Sequence, residues 1–308
     1  MELVNTPPLV LVVGEGMLEL KGNGLGDCRL GYGGDTLNVA IHLARFGMPV
    51  GYVSALGADA LSTSLRDAWA AEGVDTRWVL TDPERQAGLY AIRTDSEGER
   101  QFFYWRSDSA ARRMFSLPRS KDLVAAAAQA DVLVYSLITL AILPPEGREQ
   151  LLALCRQIRA KGGKVAFDGN YRPRLWRREA EARATLDWAL TECDIGLPTL
   201  ADEEALAGRR DPIEVAEHWQ SRGVSEVVVK LGSQGCRVGS DIVPPPRIVT
   251  AVDTSGAGDA FDAGYLAGRL RGMTALDAAT QGHKLAAWVV GRPGAIPSRD
   301  REACYDPA

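Results

Sequence analysis

The order of its apolar runs constrains this chain most. Leu9-Val10-Leu11-Val12-Val13 is a continuous apolar stretch ending at Gly14, the mark of a strand buried on both faces of a parallel sheet. Residues 50–55, 131–136, 164–168 and 224–231 repeat the pattern. Between them, residues 36–46, 60–71 and 146–160 read as helices, with Leu37, Ala40, Ile41 and Ala44 at helical spacing in the first. Strands that alternate with helices return to one sheet by crossovers. The expected fold is therefore α/β, a mainly parallel central sheet with helices on both faces. One region breaks the alternation. Residues 17–31 suggest short antiparallel strands around a Gly-rich turn. Residues 86–93 and 99–106 read as two more, joined by Thr94-Asp95-Ser96-Glu97-Gly98. Together they predict a small β lid, about residues 15–33 and 86–110, on one domain spanning residues 1–308.

Composition excludes several functions. The net charge of −5 argues against a broad nucleic-acid surface, since no Lys/Arg stripe offsets it. No apolar run approaches the roughly 20 residues of a membrane span, and residues 1–8 lack the basic start of a signal peptide. Five scattered cysteines without metal-ligand spacing fit a reducing cytoplasm. His42, His218 and His283 form no spaced metal set; His42, one turn after Asn38, reads as structural or surface. No Walker A pattern occurs. Gly14-Glu15-Gly16 is not a dinucleotide fingerprint, because Glu19 stands at the third glycine position.

The stretch that carries chemistry is Asp253-Thr254-Ser255-Gly256-Ala257-Gly258-Asp259. It lies between β-branched residues 248–252, which read as a strand, and residues 260–268, which read as a helix. A small-residue turn opening a helix leaves backbone N–H groups unpaired, with the helix dipole behind them. That suits a phosphate, or the charge that develops while one is transferred. Asp259, in the first helical turn, can accept a proton from an attacking hydroxyl. A glycine turn with an N-capping Asp is the alternative reading.

These seven residues resemble the C-terminal signature of the ribokinase-like (PfkB) family of sugar kinases. The resemblance implies Asp259 as catalytic base, Gly256, Ala257 and Gly258 as anion hole, ATP as phosphoryl donor and Mg²⁺ as cofactor. Gly33-Gly34-Asp35-Thr36-Leu37-Asn38-Val39-Ala40 resembles the family's N-terminal signature. Gly33 and Gly34 permit close backbone approach to a sugar, while Asp35 and Asn38 offer acceptors and donors for its hydroxyls. Lys230-Leu231-Gly232-Ser233-Gln234-Gly235 resembles the nucleotide loop, and Ala286-Ala287 with Gly291-Arg292-Pro293-Gly294-Ala295 the adenine-flanking end. Lys230, Gly232, Ser233, Gly235, Ala286 and Gly294, with Gly256 and Gly258, are thus expected on the nucleotide. The family's Asn-x-x-Glu motif, which organises magnesium through waters, falls on Ala201-Asp202-Glu203-Glu204, with Ala201 where Asn would stand. Glu204, or Glu203 beside it, is left for that role. A helix start whose acids complement the dipole reads equally well.

The substrate side points to an acid. Tyr104 and Arg106 fall on one face of the lid strand Phe102-Phe103-Tyr104-Trp105-Arg106, and Tyr90 on the neighbouring strand adds a second phenol. Two tyrosines beside an arginine suit a carboxylate. Asp168-Gly169-Asn170-Tyr171-Arg172 leaves the carboxyl end of a strand, where ligands of open α/β sheets bind; Arg172 is a second candidate cation. With these stretches the chain resembles, from about residue 9 to residue 297, the family's 2-keto-3-deoxygluconate kinases. That resemblance implies a sugar acid bound by Gly34, Tyr90, Tyr104, Arg106, Asn170 and Arg172, and phosphorylated by ATP at its terminal hydroxyl. A fructokinase-like kinase of a neutral sugar is the alternative. The lid sheet is the expected surface for homo-oligomer formation.

Overall fold

The computed structural model describes residues 9–24, 26–94 and 100–305. The chain runs β1 (Val10–Val13), β2 (Met17–Gly24), β3 (Asp27–Gly33), α1 (Asp35–Arg45), β4 (Val50–Gly57), α2 (Ala60–Ala71), β5 (Val74–Asp75), β6 (Val79–Asp82), β7 (Leu89–Thr94) and β8 (Arg100–Trp105). It continues through α3 (Ser120–Ala127), β9 (Val132–Ser136), α4 (Leu137–Ile142), α5 (Pro145–Ala160), β10 (Lys164–Asp168), α6 (Glu179–Leu190), β11 (Ile195–Gly196), α7 (Leu200–Ala207) and α8 (Pro212–Ser221). β12 (Glu226–Lys230), β13 (Cys236–Val238), β14 (Asp241–Val243), α9 (Ala257–Leu270) and α10 (Ala275–Val290) complete it.

Ten strands form the main sheet, in the order β14-β13-β12-β11-β10-β9-β1-β4-β5 with β6 also on β4. Pairing is parallel from β5 through β12 and antiparallel only at β13 and β14. The pleat explains the unbroken apolar runs. Leu11 and Val13 of β1 enter a core shared with Leu152 of α5, Leu186 of α6 and Trp219 of α8. Val10 and Val12 enter the opposite core, with Leu37 and Ile41 of α1, Phe261 of α9 and Trp288 of α10. Each strand is covered twice, so neither face can be polar. Truncating a fully buried tryptophan such as Trp69, Trp219 or Trp288 to alanine would cost about 3–5 kcal/mol.

The lid is a separate four-stranded sheet, β3-β2-β7-β8. Its hairpins β2–β3 and β7–β8 are antiparallel, and they join through a parallel β2–β7 contact. The expected turn at residues 95–98 lies outside the described residues.

One expected strand is not there. Among the described residues, 248–252 join no strand ladder: Ile248 is 98% exposed, and the amides of Val252 and Asp253 donate to Val290 O. Pro244-Pro245-Pro246 removes three ladder donors just upstream. The β-branched run is an extended connection held by the end of α10.

Candidate active site

The carboxyl ends of β1, β9, β10 and β12 and the N-termini of α1 and α9 converge beneath the lid, around a cleft of about 440 Å³. Its floor carries Asp35 and Asn38 of α1, Asp168, Asn170 and Arg172 after β10, Lys230 ending β12, and residues 254–259. Its roof carries Glu19, Tyr90, Tyr104 and Arg106 from the lid. Two turns separated by more than two hundred residues thereby face each other across one space.

Asp259 sits in the first turn of α9, 9% exposed, and its Oδ2 accepts a 2.6 Å hydrogen bond from Asn38 Nδ2. Burial, followed by the charge of Asp35, pushes its carboxyl up to about 7, against the Asn38 bond that favours the anion. Asp35 is also raised, chiefly by burial, although Ser136 Oγ donates to it at 2.5 Å. Asn170 Nδ2 donates to the same oxygen at 3.3 Å. Ahead of Asp259, Gly256 adopts the left-handed conformation with φ 71°, and a Cβ there would come within 2.5 Å of Ala295 Cβ. Only glycine allows this turn. Asp253 holds it from behind, accepting from Ser255 N at 2.9 Å, Gly294 N at 2.8 Å and Lys21 Nζ at 3.3 Å. Among the described residues the amides of Gly256 and Gly258 have no acceptor, whereas Ala257 N–H is drawn to Thr254 O at 3.3 Å.

Both expected cations are engaged. Arg106, nearly buried, forms an ion pair with Glu15, whose side chain is 1% exposed. Arg172 is half-exposed, donating to Tyr171 O at 2.7 Å and lying 3.3 Å from Asp202. Tyr90 donates to Glu19 at 2.6 Å and stacks on Tyr104, with ring centroids 6.0 Å apart. Gly33 does not line the cleft. A Cβ on it would meet the Tyr90 hydroxyl at 2.3 Å, so its bare backbone is what lets the Tyr90 phenol pack there.

The nucleotide side is less enclosed. Lys230, Gly232, Gly256 and Gly258 line the cleft, while Ser233, Gly235, Ala286 and Gly294 do not. Lys230 is buried, and its ammonium bonds Asp168 and Asp262. Glu204 faces away, paired with Arg210 at the surface. Glu203 is buried beneath α7, accepting from Trp219 Nε1 and Arg209 Nη1. The reason is helix phase: Thr199 and Asp202, three residues apart, take the cleft-facing positions that Ala201 and Glu204 were expected to take. Among the described residues no cluster of three or more His, Cys, Asp or Glu could cage a metal. Asp202, a hard oxygen donor at the mouth, fits a hydrated magnesium shared with nucleotide phosphates. Glu15, Ser136, Asp202 and Asp262 were not assigned as site residues; Asp262, one turn beyond Asp259 on the same helix, and Asp202, inside the stretch matched to the magnesium motif, left a signal in the sequence.

Residues 8–302 match the pfkB family of carbohydrate kinases. The chain is 44% identical over 302 residues to the 2-dehydro-3-deoxygluconokinase of Escherichia coli K12, covering 94% of this chain and 97% of that one. Identity to a fructokinase of Klebsiella pneumoniae is 32%, over 84% and 83% of the two chains. Among solved structures, a PfkB protein from Polaromonas sp. JS666 superposes with a TM-score of 0.83 at 29% identity, covering 92% of this chain and 96% of the other. Both glycine turns and the lid between them fall within the matched span, and the chain belongs to the pfkB family of carbohydrate kinases.

Proposed function

We propose that this kinase transfers the γ-phosphoryl group of ATP to the terminal hydroxyl of 2-keto-3-deoxy-D-gluconate. The observation that carries the chemistry is Asp259, a buried carboxylate near neutrality at the N-terminus of α9, aligned by Asn38. As the hydroxyl oxygen forms its bond to the γ-phosphorus, the bond from phosphorus to the ADP oxygen breaks and the proton passes to Asp259. The free amides of Gly256 and Gly258 and the α9 dipole offset charge on the transferring group. Asp202 is the residue that would hold magnesium, through water; when bound, the ion neutralises the nucleotide phosphates. Asp35, Asn38 and Asn170 bind sugar hydroxyls, and Gly34 lets the ligand approach the backbone. Gly232, Ser233, Gly235, Ala286 and Gly294 border the nucleotide.

Choice of an acid rests on Arg106 and Arg172 with Tyr104, since a neutral sugar has no use for cations in a site that excludes water. Closure of the lid over bound sugar would exclude water, which otherwise competes as phosphoryl acceptor. A coupled kinase assay across 2-keto-3-deoxygluconate, fructose and ribose tests the reading. Preference for the sugar acid by kcat/KM is expected; equal or greater turnover of fructose would overturn it. A cytoplasmic location fits the buried, apolar settings of Cys155, Cys193 and Cys236. Among the described residues no helix is long and apolar enough to cross a membrane. Exposed Leu30, Phe103 and Trp105 on the lid support self-association there, which light scattering would check.

A further inference from the structure

The cleft floor contains more charge than the phosphoryl transfer uses. Lys230 Nζ lies 3.0 Å from Asp168 Oδ1 and 2.9 and 2.8 Å from the two carboxylate oxygens of Asp262. All three side chains are nearly or fully buried. They come from three elements: Asp168 closes β10 and accepts from Asn170 N, Lys230 closes β12, and Asp262 sits one turn after Asp259 on α9. The ammonium thus pins the helix carrying the proposed base to the strand that launches the substrate loop. Two of its N–H groups are committed to these carboxylates, because the two Asp262 oxygens share one of them. The ammonium also lies beside the glycine turn, where a Cβ on Gly258 would be 3.9 Å from Nζ.

We propose that Lys230, with Asp262 and Asp168, is a positioning unit that fixes Asp259 and balances the carboxylates around it, rather than a nucleotide ligand. This deepens the kinase reading and rests on it for the identity of the base. The charged groups around Asp259 are Asp35 of α1, Asp168 of β10, Lys230 of β12 and Asp262 of its own helix, with Tyr90 of the lid as a nearby phenol. Of these four carboxylates, Asp259 included, Lys230 bonds two, while Arg106 of the lid acts on Asp35. Among these neighbours Lys230 alone draws the proton off Asp259; the carboxylates all hold it on. Although its own burial works against the charge, Asp168 and Asp262 hold the Lys230 ammonium above its ordinary range, so it stays charged wherever Asp259 titrates.

The test measures the titration of Asp259 directly, so that it does not depend on turnover. Carboxyl-carbon NMR of aspartate-labelled full-length protein would follow Asp259, identified by the signal lost in Asp259→Asn. Lys230→Met is expected to raise the midpoint by about one pH unit or more, as loss of a nearby opposite charge requires. Asp262→Asn, which removes a like charge, should lower it. The double variant Lys230→Met/Asp262→Asn should return it toward wild type. In steady-state kinetics on 2-keto-3-deoxygluconate, the acidic limb of kcat should move with these midpoints while KM for ATP changes less than about threefold. A midpoint that stays put in Lys230→Met, or in Asp262→Asn should Lys230→Met fail to fold, overturns the proposal. So does a tenfold rise in KM for ATP with an unmoved limb. A wild type inactive on sugar acids, with midpoints that shift as expected, would fail the functional reading and leave this one standing.

Discussion

The Arg106–Glu15 pair separates substrate binding from stability in a way that one substitution cannot. Arg106→Ala removes the cation proposed to meet the sugar carboxylate, and it also strands Glu15, whose side chain is 1% exposed. An uncompensated buried charge of that kind costs about 3–5 kcal/mol. The double variant Glu15→Gln/Arg106→Met removes both charges and keeps the volume, which is near neutral for stability. Both forms lose the charged hydrogen bond to the substrate, about 1.5–3 kcal/mol, or roughly 10–150-fold in KM. Urea denaturation should therefore show a large deficit for Arg106→Ala and a small one for the double variant. KM for 2-keto-3-deoxygluconate should rise in both, and KM for ATP in neither. If the double variant binds the sugar acid as wild type does, Arg106 is not the carboxylate partner. If the two variants are equally unstable, Glu15 is not the group that Arg106 neutralises.

Four further outcomes are expected. Asp259→Asn should lower kcat by about 10²–10⁴ with little change in KM for ATP, and retention of a tenth of wild-type kcat would dismiss Asp259 as base. Because the base must be ionised and its carboxyl is raised from 3.8 to about 7, kcat should climb through pH 7 and, at pH 6, stand at about a tenth of its plateau; a profile flat from pH 5.5 to 8 would contradict this. The same raised pKa means that protonated Asp259 supports the fold below about pH 4 and that this support is lost as pH passes 7, so Asp259→Asn should melt higher than wild type at pH 8. Gly256→Ala forces a side chain into a left-handed turn, costing about 1–2 kcal/mol before its collision with Ala295; lower stability and a higher KM for ATP should follow, and wild-type kinetics would show that the turn tolerates a Cβ.

Much of this architecture was legible because burial on both faces writes itself into sequence. β1, β9 and β10 are covered twice, and their apolar runs say so. The two-residue strands β5 and β11 carry too few side chains for any pattern. Residues 248–252 show the converse error, where β-branched side chains favour a strand but proline and exposure keep it out of the described sheets. In the site, turn chemistry located Asp259 and the glycines, since few sequences other than glycine-rich ones make such turns. Partners were hidden. Nothing near Arg106 in the chain announces Glu15, and nothing near Lys230 announces Asp168 and Asp262, because those contacts exist only once crossovers have stacked the strands. The error at Glu204 was one of phase, as a shift of two residues on a helix turns a side chain from cleft to solvent.

The parallel contact between β2 and β7 has a consequence for assembly. Each lid hairpin can close locally, but the lid sheet requires both, and residues 25–88 separate their inner strands. That intervening chain includes α1, β4 and α2, which belong to the main sheet and its helices. The inner seam of the lid therefore closes a long loop, whose entropy is repaid only after β1 and β4 have paired. The lid belongs to the last part of the molecule to form and the first to come apart. Its backbone amides should exchange with solvent well before those of β1, β9 and β10, so that opening the cleft and unfolding the enzyme are separate events.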